Sequence, residues 1–357
     1  MKELWSKRAQ SLVPYTPGEQ PRNRKFIKLN TNENPYPPSP MVVNAIREAT
    51  DGLRLYPDPD CTQLREGIAL ALDVRPEQLF VGNGSDEVLS LSFQAFFDPD
   101  RAIRFPDVTY SFYPVFADYY GLRYEEVPVD ECFKVPEAPF LEPCGGVVLA
   151  NPNAPTGREM DFGSLRAIIE AQTDAVVIVD EAYIDFGARS AVELVGRYPN
   201  LLVVRTFSKG RSLAGLRVGY AVGDPGLIAA LNCVKNSFNS YPVDALAQAG
   251  ALGAAQDTAY FQATTTKIIA ARTCTAERMR CMGFEVLPST ANFLFVRHPD
   301  VAAKTLLDAL RTKGILVRWF DKPRVRDHLR ITIGTDADMK ALLLALRDIL
   351  AEYAPAK

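Results

Sequence analysis

Lys209 stands in Thr206-Phe-Ser-Lys209, directly after the apolar run Leu201 to Arg205 and before Gly210-Arg-Ser-Leu-Ala-Gly-Leu-Arg217. An ammonium at a strand end inside a folded lobe needs solvent, an ionic partner or a covalent bond. A small Ser/Gly-rich turn suits an amine that attacks an aldehyde, because Schiff-base formation requires the unprotonated form. A second apolar run, Val176-Val-Ile-Val-Asp180-Glu-Ala-Tyr183, ends in a carboxylate with a phenol three residues on. In open α/β sheets ligands sit beyond the carboxyl ends of the strands, which is where Asp180 would point. A carboxylate there could hold the proton of a pyridine nitrogen, and Tyr183 could donate to a ring hydroxyl oxygen. Equally, Asp180 could cap a helix after a buried strand.

Gly82-Asn-Gly-Ser85-Asp-Glu follows a strand and opens a helix, so the N–H groups around Gly84 and Ser85 favour an anion. Glu87 replaces the third glycine of a dinucleotide fingerprint, which argues against a nicotinamide enzyme. Ser208 and Arg217 could add a hydroxyl and a guanidinium to the same anion. Tyr110 begins an aromatic stretch and could offer a ring to a flat cofactor, whereas Phe112, Tyr113 and Phe116 read as core. The loop Asn151-Pro-Asn-Ala-Pro-Thr-Gly157 is another turn at a strand's carboxyl end. Each piece also has a structural reading: strand-end lysines are usually at the surface, and G-x-G-S before a helix also serves as a plain turn.

The elements that must position these residues alternate. Val13 to Pro40, rich in proline, asparagine and charge, reads as extended chain that must lie on something else. A helix is expected near Thr62 to Leu72, then a strand at Leu79 to Val81 and a helical run through Phe97. Strands follow at Gly146 to Ala150, Ala175 to Val179, Leu201 to Thr206 and Arg217 to Val222. This alternation predicts an α/β fold with a largely parallel sheet covered on both faces. After Pro242 the pattern changes to a helical stretch from Asp244 to Met282. Strands are then expected near Phe284 to Leu287, Asn292 to Arg297, Ile315 to Arg318 and Leu329 to Ile333, with a closing helix from Asp336 to Tyr353. We therefore expect an amino-terminal arm over 1–40 that packs on the small domain and a partner subunit. A large domain follows over 41–243, then a smaller α+β domain over 244–357 that includes a linking helix at 244–282.

A length of 357 residues favours two lobes. With 47% hydrophobic and 23% charged residues, the composition is that of a soluble globular protein. No run of about 18 apolar residues and no signal-like amino terminus is seen, so no membrane partner and a cytoplasmic location are expected. A net charge of -3 with dispersed basic residues leaves no nucleic-acid footprint. The six cysteines form no C-x-x-C pair and are read as reduced and mostly buried. The only two histidines, His298 and His328, read as surface or loop residues and exclude a histidine-rich metal site, so no metal is expected.

Together these motifs resemble the fold-type I pyridoxal-phosphate aminotransferases, and within them the histidinol-phosphate aminotransferase family. The resemblance runs from Leu29-Asn-Thr-Asn-Glu-Asn-Pro-Tyr36 and Tyr56-Pro57 through the motifs above to Leu329-Arg-Ile-Thr-Ile-Gly334. It implies that Lys209 links covalently to pyridoxal 5'-phosphate, that Asp180 pairs with the pyridine nitrogen, that Tyr183 bonds the 3-hydroxyl oxygen and that Tyr110 stacks on the ring. It implies further that Gly84, Ser85, Ser208 and Arg217 hold the phosphate, joined by Tyr56 from the neighbouring subunit of a homodimer with shared active sites. Substrate contacts fall to Tyr15, Asn34, Arg318 and Arg330. The expected reaction transfers the amino group of histidinol phosphate to 2-oxoglutarate in histidine biosynthesis. Relatives with similar motifs act on aromatic amino acids or decarboxylate a phosphorylated threonine. One departure stands out: the family's asparagine before Pro-Thr-Gly is Ala154 here, and Asn153 or Asn151 is left to replace it. Borohydride reduction of the cofactor-loaded protein, followed by peptide mapping, is expected to fix the label on Lys209; a label on another lysine would overturn that assignment.

Overall fold

The computed structural model describes residues 4–16, 18–20 and 26–353. In chain order its strands are β1 (Ile27–Lys28), β2 (Leu79–Gly82), β3 (Ile103–Pro106), β4 (Tyr124–Val127), β5 (Gly146–Ala150), β6 (Val177–Asp180) and β7 (Leu201–Thr206). They continue with β8 (Gly219–Gly223), β9 (Glu285–Val286), β10 (Phe293–Arg297), β11 (Ile315–Leu316), β12 (Arg318–Trp319) and β13 (Leu329–Thr332). Seven of them form the large sheet, in the order β2-β8-β7-β6-β5-β3-β4. Strand β8 runs antiparallel to both its neighbours, and the remaining pairs are parallel.

Strand β6 shows why unbroken apolar runs suit this sheet. Val177 and Val179 pack into one helical layer with Leu165 and Ile168, while Ile178 packs into the opposite layer with Leu89 and Phe93. Alternate residues thus face two separate cores, and both faces must be apolar. Burying each such side chain contributes roughly 1.5–3 kcal/mol. The carboxyl ends of β5, β6 and β7 consequently lie side by side, with Ala150 opposite Asp180 and Asp180 opposite Val204.

The small sheet, in the order β12-β13-β10-β9, is covered by the helices Thr258–Cys281, Ala303–Thr312 and Asp336–Tyr353 through Met279, Leu306, Leu310, Leu342 and Leu346. Strand β1 pairs in parallel with β11, and Thr332 donates its N–H to the Leu29 carbonyl, so the amino-terminal segment is stitched onto this lobe.

Four expectations need correction. The run Asp244 to Met282 is two helices, Ala245–Gln256 and Thr258–Cys281, because Asp257 accepts the Tyr260 N–H and restarts the helix. The first packs Ala247 and Ala251 into the large-lobe core. The strand expected from Arg217 begins at Gly219 instead; Arg217 is in the left-handed region, φ 55°, where it turns back toward the helix Gly84–Phe96. His328 is buried, its ring stacked 4.6 Å from Phe295, and that burial pulls its imidazole down to about 4. Four of the six cysteines are exposed, leaving only Cys61 and Cys144 buried.

Gly219 permits a close approach, since a Cβ there would lie 2.3 Å from the Ser85 nitrogen. Replacing it with alanine forces the Gly84-Ser85 backbone away from β8. We expect Gly219→Ala to lower stability by about 1–3 kcal/mol and to weaken the phosphate binding that the resemblance implies at the adjacent helix terminus. Denaturant midpoints and an anion titration would read the two effects; an unchanged midpoint would contradict the contact.

Candidate active site

The carboxyl ends of β5, β6 and β7, the start of helix Gly84–Phe96 and the small-lobe strands β12 and β13 enclose a cleft of about 150 Å³. Ser85, Tyr110, Asp180, Tyr183, Ser208, Lys209, Arg217, Arg318, Arg330 and Tyr15 all line it. Four of these are cationic, Lys209, Arg217, Arg318 and Arg330, against the two carboxylates Asp86 and Asp180. The balance favours anionic ligands.

Asp180 is 4% exposed. One carboxylate oxygen accepts from the Tyr113 hydroxyl at 2.9 Å and the other from the Ala182 N–H at 3.1 Å. Burial nevertheless pushes its acid up to about 6, so a cation placed against it would restore the charged form. Tyr113 was expected to serve only as core. Its ring does so, yet its hydroxyl holds the carboxylate; a fully buried phenol needing a partner was the available signal. Next along the chain, Glu181 is buried and accepts from Arg205 at 2.8 Å, which locks the end of β6 to β7.

Lys209 donates from Nζ to the Thr31 carbonyl at 3.2 Å. Burial, and then the nearby Arg330 guanidinium, pulls its amine down to about 8. Asn34 was expected to touch substrate. Instead it donates to the carbonyls of Lys209 and Gly210, at 3.1 and 3.2 Å, and so holds the turn that carries the lysine.

Arg217 closes over the helix start. Its guanidinium lies 3.4 Å from the Ser208 hydroxyl and 3.4 Å from the Asp86 carboxylate. A Cβ on Gly84 would meet the tip of the Arg217 side chain at 2.5 Å and displace it, while the φ of 82° favours glycine on backbone grounds. Asp86, not singled out in the sequence, also accepts from the Tyr110 hydroxyl at 2.7 Å. Glu87 accepts the Asn83 N–H at 2.5 Å and so caps the helix.

On the small lobe Arg318 and Arg330 are partners across β12 and β13. Arg330 is held between the rings of Phe293 and Phe320, its Cζ 5.4 Å from each centroid. It donates to the Asn30 carbonyl at 3.2 Å, while its buried Nε has no hydrogen-bond partner. A half-buried guanidinium whose sealed Nε has no partner gains from an anion that reaches it. Arg318 donates to the Thr16 carbonyl at 3.1 Å. The Tyr15 ring packs at a tilt against Phe112, centroids 4.4 Å apart.

Three residues considered as cofactor ligands, Asn153, Asn151 and Tyr56, do not line the cleft. Asn153 is buried, but its amide is used up by the Val108 carbonyl, Thr156 and Thr109. Asn151 does not line the cleft either, and its Oδ1 accepts from the Met160 N–H. Tyr56 is 82% exposed and stacked on Tyr241, away from the cleft of its own chain.

Residues 24–346 match the family model for aminotransferase class I and II. The chain belongs to that family. It is 53% identical over 350 residues, covering 98% of this chain and all of the relative, to histidinol-phosphate aminotransferase 1 of Bradyrhizobium diazoefficiens. It is 51% identical over 350 residues to the histidinol-phosphate aminotransferase of Pseudomonas syringae, again covering 98% of this chain and all of the relative. Among solved structures it superposes with a TM-score of 0.89, at 26% identity and 98% coverage of both chains, on the histidinol-phosphate aminotransferase of Sinorhizobium meliloti in complex with pyridoxal-5'-phosphate.

An amine attacks an aldehyde only in its neutral form. With the affinity of the Lys209 amine for protons lowered to about 8, roughly one molecule in ten carries the free amine at pH 7, against roughly one in three thousand for an ordinary lysine. The rate at which cofactor-free protein captures an aldehyde at Lys209 is expected to rise about tenfold per pH unit up to about 8, then level off. Stopped-flow absorbance across pH would show this, and a rate still climbing at about pH 10 would indicate an unperturbed lysine.

Proposed function

We propose that this chain is a pyridoxal-phosphate-dependent aminotransferase that converts L-histidinol phosphate and 2-oxoglutarate to imidazole acetol phosphate and L-glutamate, a step of histidine biosynthesis. The observation that carries the reading is the pair of guanidinia, Arg318 and Arg330, facing the same cleft as Lys209 and Asp180. Relatives described as histidinol-phosphate aminotransferases, more than half identical over nearly the whole chain, support the substrate.

The residues present fit the cofactor. Asp180 would hold a proton on the pyridine nitrogen, and Tyr183 would donate to the 3-oxygen. Tyr110 would wall the ring, while Gly84, Ser85, Ser208 and Arg217 would hold the phosphate. When bound, the cofactor supplies an aldehyde that condenses with amines and a ring that accepts the electron pair left by proton loss. Lys209 Nζ takes and returns the proton at the substrate's Cα, for which an amine titrating near 8 is well matched.

Glutamate presents an α-carboxylate, histidinol phosphate a phosphate ester in its place, and one site must read both. Arginine suits the task because its planar fork pairs with either anion. Arg330 anchors both substrates, Arg318 answers the second charge of the phosphate, and Tyr15 closes the imidazole end.

A homodimer with shared sites is part of the proposal. Leu53, Leu55, Tyr56, Phe238 and Tyr241 are large apolar side chains left exposed, and Tyr56 among them would reach the neighbouring subunit's phosphate. Six unpaired cysteines suit the reducing cytoplasm, and no helix among the described residues is long and apolar enough to cross a membrane.

We expect Arg330→Ala to impair both half-reactions, and Arg318→Ala to penalise histidinol phosphate more than glutamate. Losing a charge-assisted hydrogen bond costs about 1.5–3 kcal/mol, hence roughly tenfold to more than a hundredfold in kcat/KM. The measurement is the ratio of kcat/KM for the two substrates in each variant, with phenylalanine, tyrosine and phosphothreonine as comparators. A ratio unchanged in Arg318→Ala would remove the phosphate-selective role and favour an aromatic amino acid as substrate.

A further inference from the structure

Asn32 lines the cleft although it is only 1% exposed. Its backbone is in the left-handed region, φ 57°, which asparagine tolerates better than most residues. Three contacts hold it there. Its N–H donates to the Thr332 hydroxyl at 2.9 Å, its Oδ1 accepts from that hydroxyl at 3.0 Å, and its carbonyl accepts from the Asn292 amide at 3.0 Å. Its remaining group, Nδ2, donates to the Tyr183 hydroxyl at 2.9 Å.

Counting protons fixes the direction of this chain. Thr332 has a single hydroxyl proton, and its oxygen already accepts the Asn32 N–H, so that proton goes to Asn32 Oδ1. The amide is thereby oriented with Nδ2 toward Tyr183. A phenol oxygen that accepts from Nδ2 must send its own single proton elsewhere, and the cleft that Tyr183 lines is the direction left open.

We propose that Asn32 is a positioning residue: held by Thr332, it turns Tyr183 into an obligate donor toward the 3-oxygen of the cofactor. The proposal rests on the pyridoxal-phosphate reading given above. It places the additional support for the 3-oxygen on a residue of the amino-terminal segment, whereas Asn151 and Asn153, expected to bond that oxygen directly, lie outside the cleft. It also ties Tyr183 through Asn32 to Thr332 on β13, the strand that carries Arg330.

A donor at the 3-oxygen stabilises its anionic form, and this lowers the pH at which the imine nitrogen beside it loses its proton. Visible absorbance of the cofactor-loaded enzyme, titrated with pH, reads that equilibrium without turnover. Asn32→Gly removes the side chain while keeping the backbone conformation comfortable, and Asn32→Asp is isosteric but offers a second acceptor that takes the Tyr183 proton instead. Each is expected to move the titration upward by roughly half to one pH unit, the size of one hydrogen bond, in the direction given by Tyr183→Phe. In the Tyr183→Phe background, Asn32→Gly is expected to add nothing.

A titration in Asn32→Gly and Asn32→Asp that matches the unsubstituted enzyme would overturn the proposal, as would a Gly shift that persists undiminished without the phenol. A purely structural role would lower the melting temperature and leave the titration in place. Should the unsubstituted protein fail to take up pyridoxal phosphate with visible absorbance, the cofactor reading itself fails, and this inference with it.

Discussion

Asp180 is a carboxylate at the end of a strand buried on both faces, and charge in that position is unfavourable unless donors and a cation answer it. Much of the site follows from meeting that demand. Tyr113 and the Ala182 N–H satisfy its oxygens only in part, as the acid's rise to about 6 shows. A pyridinium would complete the set, which makes cofactor binding and the stability of this lobe parts of one electrostatic account. The adjoining Glu181–Arg205 pair, buried between β6 and β7, sets the spacing between Asp180 and the turn that carries Lys209. Removing one member of such a pair leaves an unanswered charge, so the pair acts as a positional constraint even where its net stabilisation is small.

The amino-terminal segment joins the two lobes at the chemistry. Thr31 accepts from Lys209, Asn34 holds the carbonyls that follow it, and Asn32 reaches both Tyr183 and Thr332. Leu29 and Ile27 meanwhile pair with the small lobe. A displacement of this segment would therefore disturb Lys209 and the small-lobe arginines together. The cationic excess at the small-lobe end and the paired carboxylate at the strand ends give the cleft a polarity.

Much of this was legible in the chain itself, for local reasons. Short unbroken apolar runs rich in β-branched residues and bounded by turn signals fit strands covered on both faces, so β5, β6 and β7 and the residues at their carboxyl ends could be read from length and composition. The helices Thr62–Leu72 and Asp336–Tyr353 were bounded by the same means. Lys209, Asp180, Tyr183, Gly84, Ser85, Ser208 and Arg217 sit within a few residues of such boundaries, and all but Gly84 line the cleft.

What tertiary structure alone decided are partnerships between residues far apart in sequence and choices among chemically equal side chains. The Tyr113 hydroxyl meets a carboxylate 67 residues away, and the buried aromatic stretch carries no local mark of it. Arg318 and Arg330 face one another because β12 pairs with β13, a register set by packing rather than by either segment. Asn32, Asn34, Asn151 and Asn153 are the same residue type in loops of similar composition. Which amide enters the cleft depends on which neighbouring groups satisfy it first: Val108, Thr156 and Thr109 saturate Asn153, whereas Thr332 leaves one Asn32 donor free for Tyr183. Sequence determines which hydrogen-bonding groups exist, and only the folded chain brings each one to its partner.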